Sequence, residues 1–303
     1  MINTLEYFLQ REAFAKVVME QRGCERQLCF ALSGLSLAAN GHDFSPIAVL
    51  RKVEQPPGEI ELAKALRNKG LLSAVARHMP SVTFELAVTF DKDGFNQANM
   101  NMGWWIISAL RTRSLADILV PAVADVSWDI IPAMEPDQCH VQLIEDVPRA
   151  RRFGAEVVVT DDHLGWIKTH LTSWITLLES PSFRLGVDAL TTHSHHANLR
   201  MSAASLWAGF EALFGINAEL RFRLALLAAG YLEDRGPRRL ALFKRVKTLY
   251  DYRSKAVHGS PTTERKLEEH IVEVRALLSR LLCRMTEEGR VPSSDDLEVH
   301  LLT

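Results

Sequence analysis

The sequence predicts an α+β domain over residues 1–155 and an all-α helical bundle over residues 156–303. In residues 81–90 apolar side chains alternate with polar ones, which is the period of a strand, and this segment lies among helical patterns. From residue 160 onward, apolar residues recur mainly at three- and four-residue spacing, which is the period of amphipathic helices. The change of period therefore defines the two predicted domains.

The first domain is predicted to contain both helices and strands. Thr4 is a suitable N-cap for the first helix, and Gly23 follows its end. The clearest elements are, in order, a helix over residues 3–21, a strand over 47–53, a helix over 59–79 that breaks near Gly70, a strand over 81–90 and a helix over 96–113. Trp104 and Trp105 lie in the last of these helices and are expected to belong to the core.

Four segments around these elements are less distinct. Residues 29–39 are compatible with helix or strand, and residues 115–126 with a strand or a short helix. Residues 139–145 and 156–160 predict short strands. The first domain contains no phosphate-binding glycine loop, nucleophile elbow or paired-acid motif. Its residues alone therefore predict no activity.

The second domain is predicted to consist of six helices. They cover residues 160–178, 182–193, 199–214, 219–232, 237–258 and 262–288. The last is the most regular, because Leu267, Ile271, Val274 and Leu278 recur at helical spacing. Since the connections are short, neighbouring helices are expected to be antiparallel.

The composition is that of an ordinary globular protein. Of 303 residues, 47% are hydrophobic and 24% are charged, and the net charge is −2. The four cysteines form no CxxC pair, which is typical of reduced thiols in a cytoplasmic protein. Cys139 and His140 have no second ligand pair at zinc spacing, so no metal site is predicted. His193, His195 and His196 are expected to be exposed loop or helix-end residues.

No targeting or membrane segment is predicted. The N-terminus lacks the basic and apolar regions of a signal peptide. No stretch approaches the roughly 18 apolar residues that a membrane-spanning helix requires.

Residues 249–259 carry the pattern that points to chemistry. They place Arg253 five residues before His258, at the end of a predicted helix that Gly259 terminates. On a helical projection centred on Val246, Arg253 falls within the apolar stripe. A guanidinium keeps its charge, so this position requires a partner, a ligand or a subunit interface.

The segment Arg253-Ser-Lys-Ala-Val-His258-Gly259 resembles the R-x4-H motif of the HEPN superfamily, in the form of its Apea-like branch. Residues 206–215 and 221–231 agree with this resemblance, which covers roughly the last third to two fifths of the chain. It implies a HEPN-type helical bundle and a metal-independent endoribonuclease that needs no cofactor. It also implies a homodimer in which the motifs of two protomers form one cleft.

In that chemistry the ribose 2′-hydroxyl attacks the adjacent phosphate. The resemblance assigns His258 as the general acid/base and Arg253 as the phosphate clamp, which suits a near-neutral imidazole and a bidentate cation. Ser254 departs from the family pattern, because many HEPN nucleases have Asn, Asp or His there, and serine orients a phosphate more weakly. About 140° separate Arg253 from His258 on one helix, which a second protomer would compensate.

Other residues are predicted to support this site. Glu211 is a candidate partner of Arg253, and Tyr250 and Tyr252 can stack on a base. The cations predicted to follow an RNA backbone are Arg245, Lys247 and Lys255. By analogy with the family, the expected partners are RNA and a regulatory or antitoxin protein. The first domain is expected to be a sensor or regulatory domain in a cytoplasmic toxin or antiviral defence effector.

Alternative interpretations stay open. Arg253 can be a structural partner of Glu211, with His258 acting as a helix C-cap. The bundle can be a non-catalytic HEPN module that binds nucleotide, RNA or protein, or it can serve only to dimerise the chain. The basic run can be a solvated face, and both tyrosines can be packing residues.

Overall fold

The computed structural model describes residues 4–22, 27–90, 95–146, 152–216, 219–257, 261–293, 295–297 and 299. It has an N-terminal α/β region with an antiparallel sheet and a C-terminal helical region, as predicted at that level. Two compact units are present: an α/β unit of Met1–Ile107, Ile118–Pro148 and Val158–Leu164, and a helical unit of Ser108–Asp117, Arg149–Val157 and Gly165–Thr303. The units are thus interleaved in sequence, whereas a single boundary at residue 155 was predicted.

The α/β unit is built on a six-stranded sheet in the order β3-β4-β5-β1-β6-β7, and all its neighbouring strands are antiparallel. A separate pair, β2 and β8, is parallel. The strands are β1 (Gln27–Ser33), β2 (Ser36–Leu37), β3 (Gly41–Phe44), β4 (Ala48–Lys52), β5 (Val82–Thr89), β6 (Ala122–Ala124), β7 (Val141–Leu143) and β8 (Val158–Val159). The two segments left open by the sequence, 29–39 and 115–126, therefore contain strands.

Helices accompany the sheet where the sequence predicts them. They are α1 (Thr4–Arg22), α2 (Glu59–Ala65), α3 (Leu72–His78) and α4 (Gln97–Ser114). A 3-10 turn around Gly70 separates α2 from α3, as predicted. The expectation that Trp104 and Trp105 belong to the core is wrong: both are partly exposed, because α4 buries the face that carries Ile106 and Ile107.

A buried ionic network ties α1 to the sheet. Glu85 of β5 is fully buried, and its carboxylate accepts hydrogen bonds from Arg51 Nε at 2.5 Å and from the Trp128 amide at 2.8 Å. Arg22, in the last turn of α1, lies 3.4 Å from Glu85 and 3.2 Å from Asp129. A buried carboxylate is tolerated only when donors surround it, so this network fixes the end of α1.

The helical unit contains the six predicted helices. They are α5 (Asp161–Leu177), α6 (Pro181–Thr192), α7 (Leu199–Phe214), α8 (Leu220–Leu232), α9 (Pro237–Val257) and α10 (Glu264–Glu288). Side chains cap two of them, since Asn198 accepts from the Arg200 amide and Thr263 from the Lys266 amide. Trp207 and Phe210 of α7 are fully buried and contribute to the core.

Helices α6 and α7 approach closely at two glycines. A Cβ added to Gly209 would lie 2.6 Å from the Ala189 Cβ and 3.1 Å from the Gly186 Cα. Real Cβ atoms do not come this close, so the contact depends on glycine at residue 209.

His193 contradicts the expectation of an exposed histidine. It is buried, its Nδ1 lies 2.7 Å from the Leu190 carbonyl oxygen, and its ring packs 5.1 Å from that of Phe153. Burial lowers the pKa of His193 to about 3. The residue is therefore a neutral part of the core.

Candidate functional site

The last two turns of α9 carry the arginine half of the R-x4-H segment. Helix α9 forms because Val246 and Leu249 bury an apolar face, and it packs against α7, α8 and α10. Arg253 and Ser254 are partly exposed near its end. His258 lies outside the described residues, as does the side chain of Lys255.

Arg253 faces Glu211 of α7. Its Nη2 atom lies 3.3 Å from Glu211 Oε1, and the two side chains are 24% and 22% exposed. The Arg253 Cζ atom also lies 5.4 Å from the centroid of the Tyr250 ring, which is a cation–π distance. The contact between Glu211 and Arg253 that the sequence predicts is thus present, and neither side chain is sealed from solvent.

This ion pair leaves hydrogen-bonding capacity unused. Arg253 Nε and Glu211 Oε1 are buried atoms, and neither has a hydrogen-bond partner in the described part of the chain. Buried donors in folded proteins are nearly always bonded. Because Nε itself is buried, a ligand can reach only the exposed part of the guanidinium, for which a phosphate oxygen is a preferred acceptor.

Tyr250 belongs to the core rather than to a base-stacking surface. It is only 9% exposed, and its ring meets the edge of Trp207 at a centroid distance of 5.3 Å. Burial, together with the negative charge of Glu211, raises the pKa of Tyr250. Its ring therefore supports the Arg253 guanidinium on the side that faces the core.

Tyr252 connects α9 to the residues that follow the motif. Its hydroxyl is hydrogen-bonded to Thr262 Oγ1, and its ring lies 4.9 Å from that of His270. Arg253 directly follows Tyr252, and Thr262 directly precedes the Thr263 cap of α10. The bond therefore joins the two sides of the segment that contains His258.

His270 of α10 is a buried histidine that sequence reasoning missed. Trp207 Nε1 donates a hydrogen bond to His270 Nε2 at 3.0 Å, so the proton of the neutral ring is on Nδ1. Burial lowers the pKa of His270 to about 4, which makes it a poor proton carrier at neutral pH. Its place beside Ile271 in the apolar stripe of α10 was the available signal.

Arg245 and Lys247, two of the predicted RNA-binding cations, differ in how far a neighbouring carboxylate compensates their charge. Arg245 forms a two-point ion pair with Glu273 of α10, at 2.6 and 2.5 Å, so its charge is largely compensated. Lys247 lies over the Phe243 ring, with Nζ 5.0 Å from the centroid. Of the two cations whose side chains are described, Lys247 is the more available to a phosphate.

Within the described ranges no group of three or more His, Cys, Asp or Glu residues is placed to hold a metal ion. Cys139 is buried with its pKa raised by burial to about 12, while its neighbour His140 is exposed. No helix among the described residues is long and apolar enough to cross a membrane.

Comparison with known proteins found no matching family model, no matching curated protein and no matching solved structure.

Proposed function

We propose that the helical unit is a metal-independent endoribonuclease of the HEPN type that acts as a homodimer. The observation that supports this proposal is the state of Arg253, a partly exposed cation held by Glu211 and Tyr250. The exposed part of a guanidinium held in this way can bind a phosphate while Glu211 and Tyr250 keep the side chain in place. The R-x4-H spacing places the candidate proton carrier, His258, five residues further on.

The reaction is a transesterification within the RNA strand. The ribose 2′-oxygen forms a bond to the adjacent phosphorus while a base removes the 2′-hydroxyl proton. The bond between phosphorus and the 5′-oxygen of the next nucleotide breaks, and that oxygen takes up a proton. The products are a 2′,3′-cyclic phosphate and a 5′-hydroxyl, and Arg253 stabilises the negative charge that develops on the phosphorane oxygens.

Two protomers are part of this proposal. On an ideal helical projection of the sequence, residues 253 and 258 are about 140° apart, so one continuous helix would not direct both side chains at one phosphate. A two-fold axis would bring Arg253 of one protomer near His258 of the other. Ser254, one turn beyond Tyr250, would be a weaker orienting donor at the same phosphate.

The test is RNA cleavage by purified protein in EDTA. Wild type is expected to leave cyclic phosphate ends. Arg253→Ala is expected to reduce the rate by about 10²–10³-fold, the usual loss for one oxyanion-stabilising donor. His258→Ala is expected to reduce it by about 10²–10⁴-fold, the usual contribution of a general acid or base. Arg265→Ala is the matched control, because Arg265 is an exposed arginine of α10 at 88% exposure. Full cleavage by both site variants would refute the assignment.

A second candidate function is favoured by the ion pair itself. Glu211 already compensates the charge of Arg253, which is what a structural cation in a non-catalytic binding or dimerisation module would show. In that case wild type in EDTA would bind RNA, nucleotide or a protein partner without cleaving RNA, and Arg253→Ala would act through stability alone.

The wider role follows from the same proposal. A ribonuclease of this kind is suited to a toxin or a defence effector, with the α/β unit as a sensor or as the docking site of a regulatory protein. Expression of wild type is then expected to arrest growth, and expression of His258→Ala is not. Equal toxicity of the two would contradict a nuclease-based role.

A further inference from the structure

An aromatic pair lies at the surface of α8 and α9. The rings of Phe222 and Phe243 are 5.6 Å apart and meet edge to face at 83°. Phe222 is 50% exposed, and Leu240, one turn before Phe243, is 53% exposed. Exposed apolar side chains that cluster in this way are more typical of a binding surface than exposed apolar side chains that stand singly.

Two lysines border the aromatic pair. Lys247 lies over the Phe243 ring, and Lys244 is exposed one residue after Phe243. Leu240, Phe243, Lys244 and Lys247 are spaced i, i+3, i+4 and i+7, so they share one face of α9. Neither lysine forms an ion pair with any carboxylate of the described residues, in contrast to Arg245. The surface therefore combines stacking rings with uncompensated positive charge.

We propose that this α8–α9 face, made of Phe222, Leu240, Phe243, Lys244 and Lys247, binds single-stranded RNA. Aromatic rings stack on bases of any sequence, while lysines contact the phosphates between them. Double-stranded RNA hides its bases, so it does not fit such a surface. The two lysines favour a polyanion over a second copy of this chain, because the net charge of the chain is only −2 whereas RNA carries one negative charge per nucleotide.

The α8–α9 face continues along α9 toward Ser254 of the candidate site. Asp251 and Ser254 continue the same stripe of α9 beyond Lys247, and the rise of seven residues from Lys247 to Ser254 is about 10 Å along the helix. Arg221 of α8 neutralises Asp251 through a two-point ion pair at 2.5 and 2.6 Å. RNA on the face would therefore meet no uncompensated carboxylate on this stripe before it reaches Ser254. This inference rests on the proposed ribonuclease function, for which it supplies the substrate class.

The experiment measures binding separately from cleavage. The probe is a fluorescent 2′-O-methyl oligonucleotide of about 12 nucleotides, which lacks the attacking hydroxyl, and the readout is fluorescence anisotropy. Phe222→Leu keeps an apolar side chain but removes the ring, and it is expected to weaken binding by about 5- to 100-fold. Lys244→Gln is expected to lower the slope of log affinity against log salt by about 0.7. Leu185→Ala on α6 is the control, because Leu185 is 47% exposed.

The outcomes separate the two proposals. If Phe222→Leu weakens binding but wild type cleaves no RNA, the face is supported and the ribonuclease assignment fails. If wild type cleaves RNA and Phe222→Leu binds the probe within twofold of wild type, the face is overturned and the ribonuclease assignment stands. Equal affinity for a duplex probe would also overturn it. A third result would also overturn the RNA-binding face. If sedimentation shows that Phe222→Leu converts a dimer to a monomer while its affinity for the probe is unchanged, the face joins two protein copies and does not bind RNA.

Discussion

The Glu211–Arg253 pair is expected to stabilise the contact between α7 and α9 by about 1 kcal/mol. Exposed ion pairs contribute about 0–1 kcal/mol, and breaking a buried pair costs about 3–5 kcal/mol. This pair lies between these limits, because its side chains are about a quarter exposed. It lies nearer the lower limit, because no hydrogen bond reinforces the 3.3 Å contact.

A double-mutant cycle with Glu211→Gln and Arg253→Gln measures this coupling. The assay is native-state hydrogen exchange of the amides of α7 and α9, where 1 kcal/mol corresponds to about a fivefold change in rate. Each single variant is expected to exchange about fivefold faster than wild type, and the double variant no faster than either. Additive effects within about 0.3 kcal/mol would show that the two side chains do not interact.

The same variants separate structure from catalysis. If Arg253 is only a partner of Glu211, the two single variants lose RNA cleavage in proportion to their loss of stability. If Arg253 binds the phosphate, Arg253→Gln loses cleavage far beyond Glu211→Gln at equal exchange rates.

Three further predictions concern the helical unit. Tyr252→Phe removes the bond to Thr262, so the first amides of α10 should exchange about two- to tenfold faster, and an unchanged rate would contradict this role. His270→Gln should flatten the dependence of Tm on pH. Because the pKa of His270 is about 4 in the folded state, the unfolded state binds more protons between about pH 6.5 and 4. Wild type therefore loses stability as the pH falls through that window. An unaltered pH dependence would exclude His270 as its cause. Gly209→Ala should lower Tm through overpacking that costs about 1–3 kcal/mol, whereas Gly165→Ala in α5, where a Cβ meets no atom within 4 Å, should raise stability by up to about 1 kcal/mol. Equal shifts for the two glycines would contradict the packing argument.

The helices could be predicted because their signals are local. The apolar spacing of α10 lies within the helix that it defines. Asn198 and Thr263 are equally local signals, which the structure shows to cap α7 and α10 and which were not recognised in the sequence. Residues 29–39 could not be assigned because β1 is an inner strand with both faces largely buried, so its sequence has no period. Glu85 gave no sign of burial, since its donors come from residues far away in the chain.

The candidate site was predicted in part for the same reason. Glu211 was a candidate partner of Arg253 on the sequence alone, and the structure brings the two side chains together. The same reasoning offered no way to see that Arg245 is compensated by Glu273, which lies on another helix. The aromatic pair of Phe222 and Phe243 likewise depends on the packing of α8 against α9.

The attachment of α1 has a practical consequence for dissecting the protein. A fragment that begins at β1 would retain Glu85 and Asp129 but lose the guanidinium of Arg22 that faces both. It would also lose Arg11, whose Nε lies 2.6 Å from the Glu61 carboxylate. Asp129 and Glu61 would then lose their arginine partners, and Glu85 would keep only Arg51. Any attempt to express the α/β unit alone should therefore retain the helix from Thr4 onward.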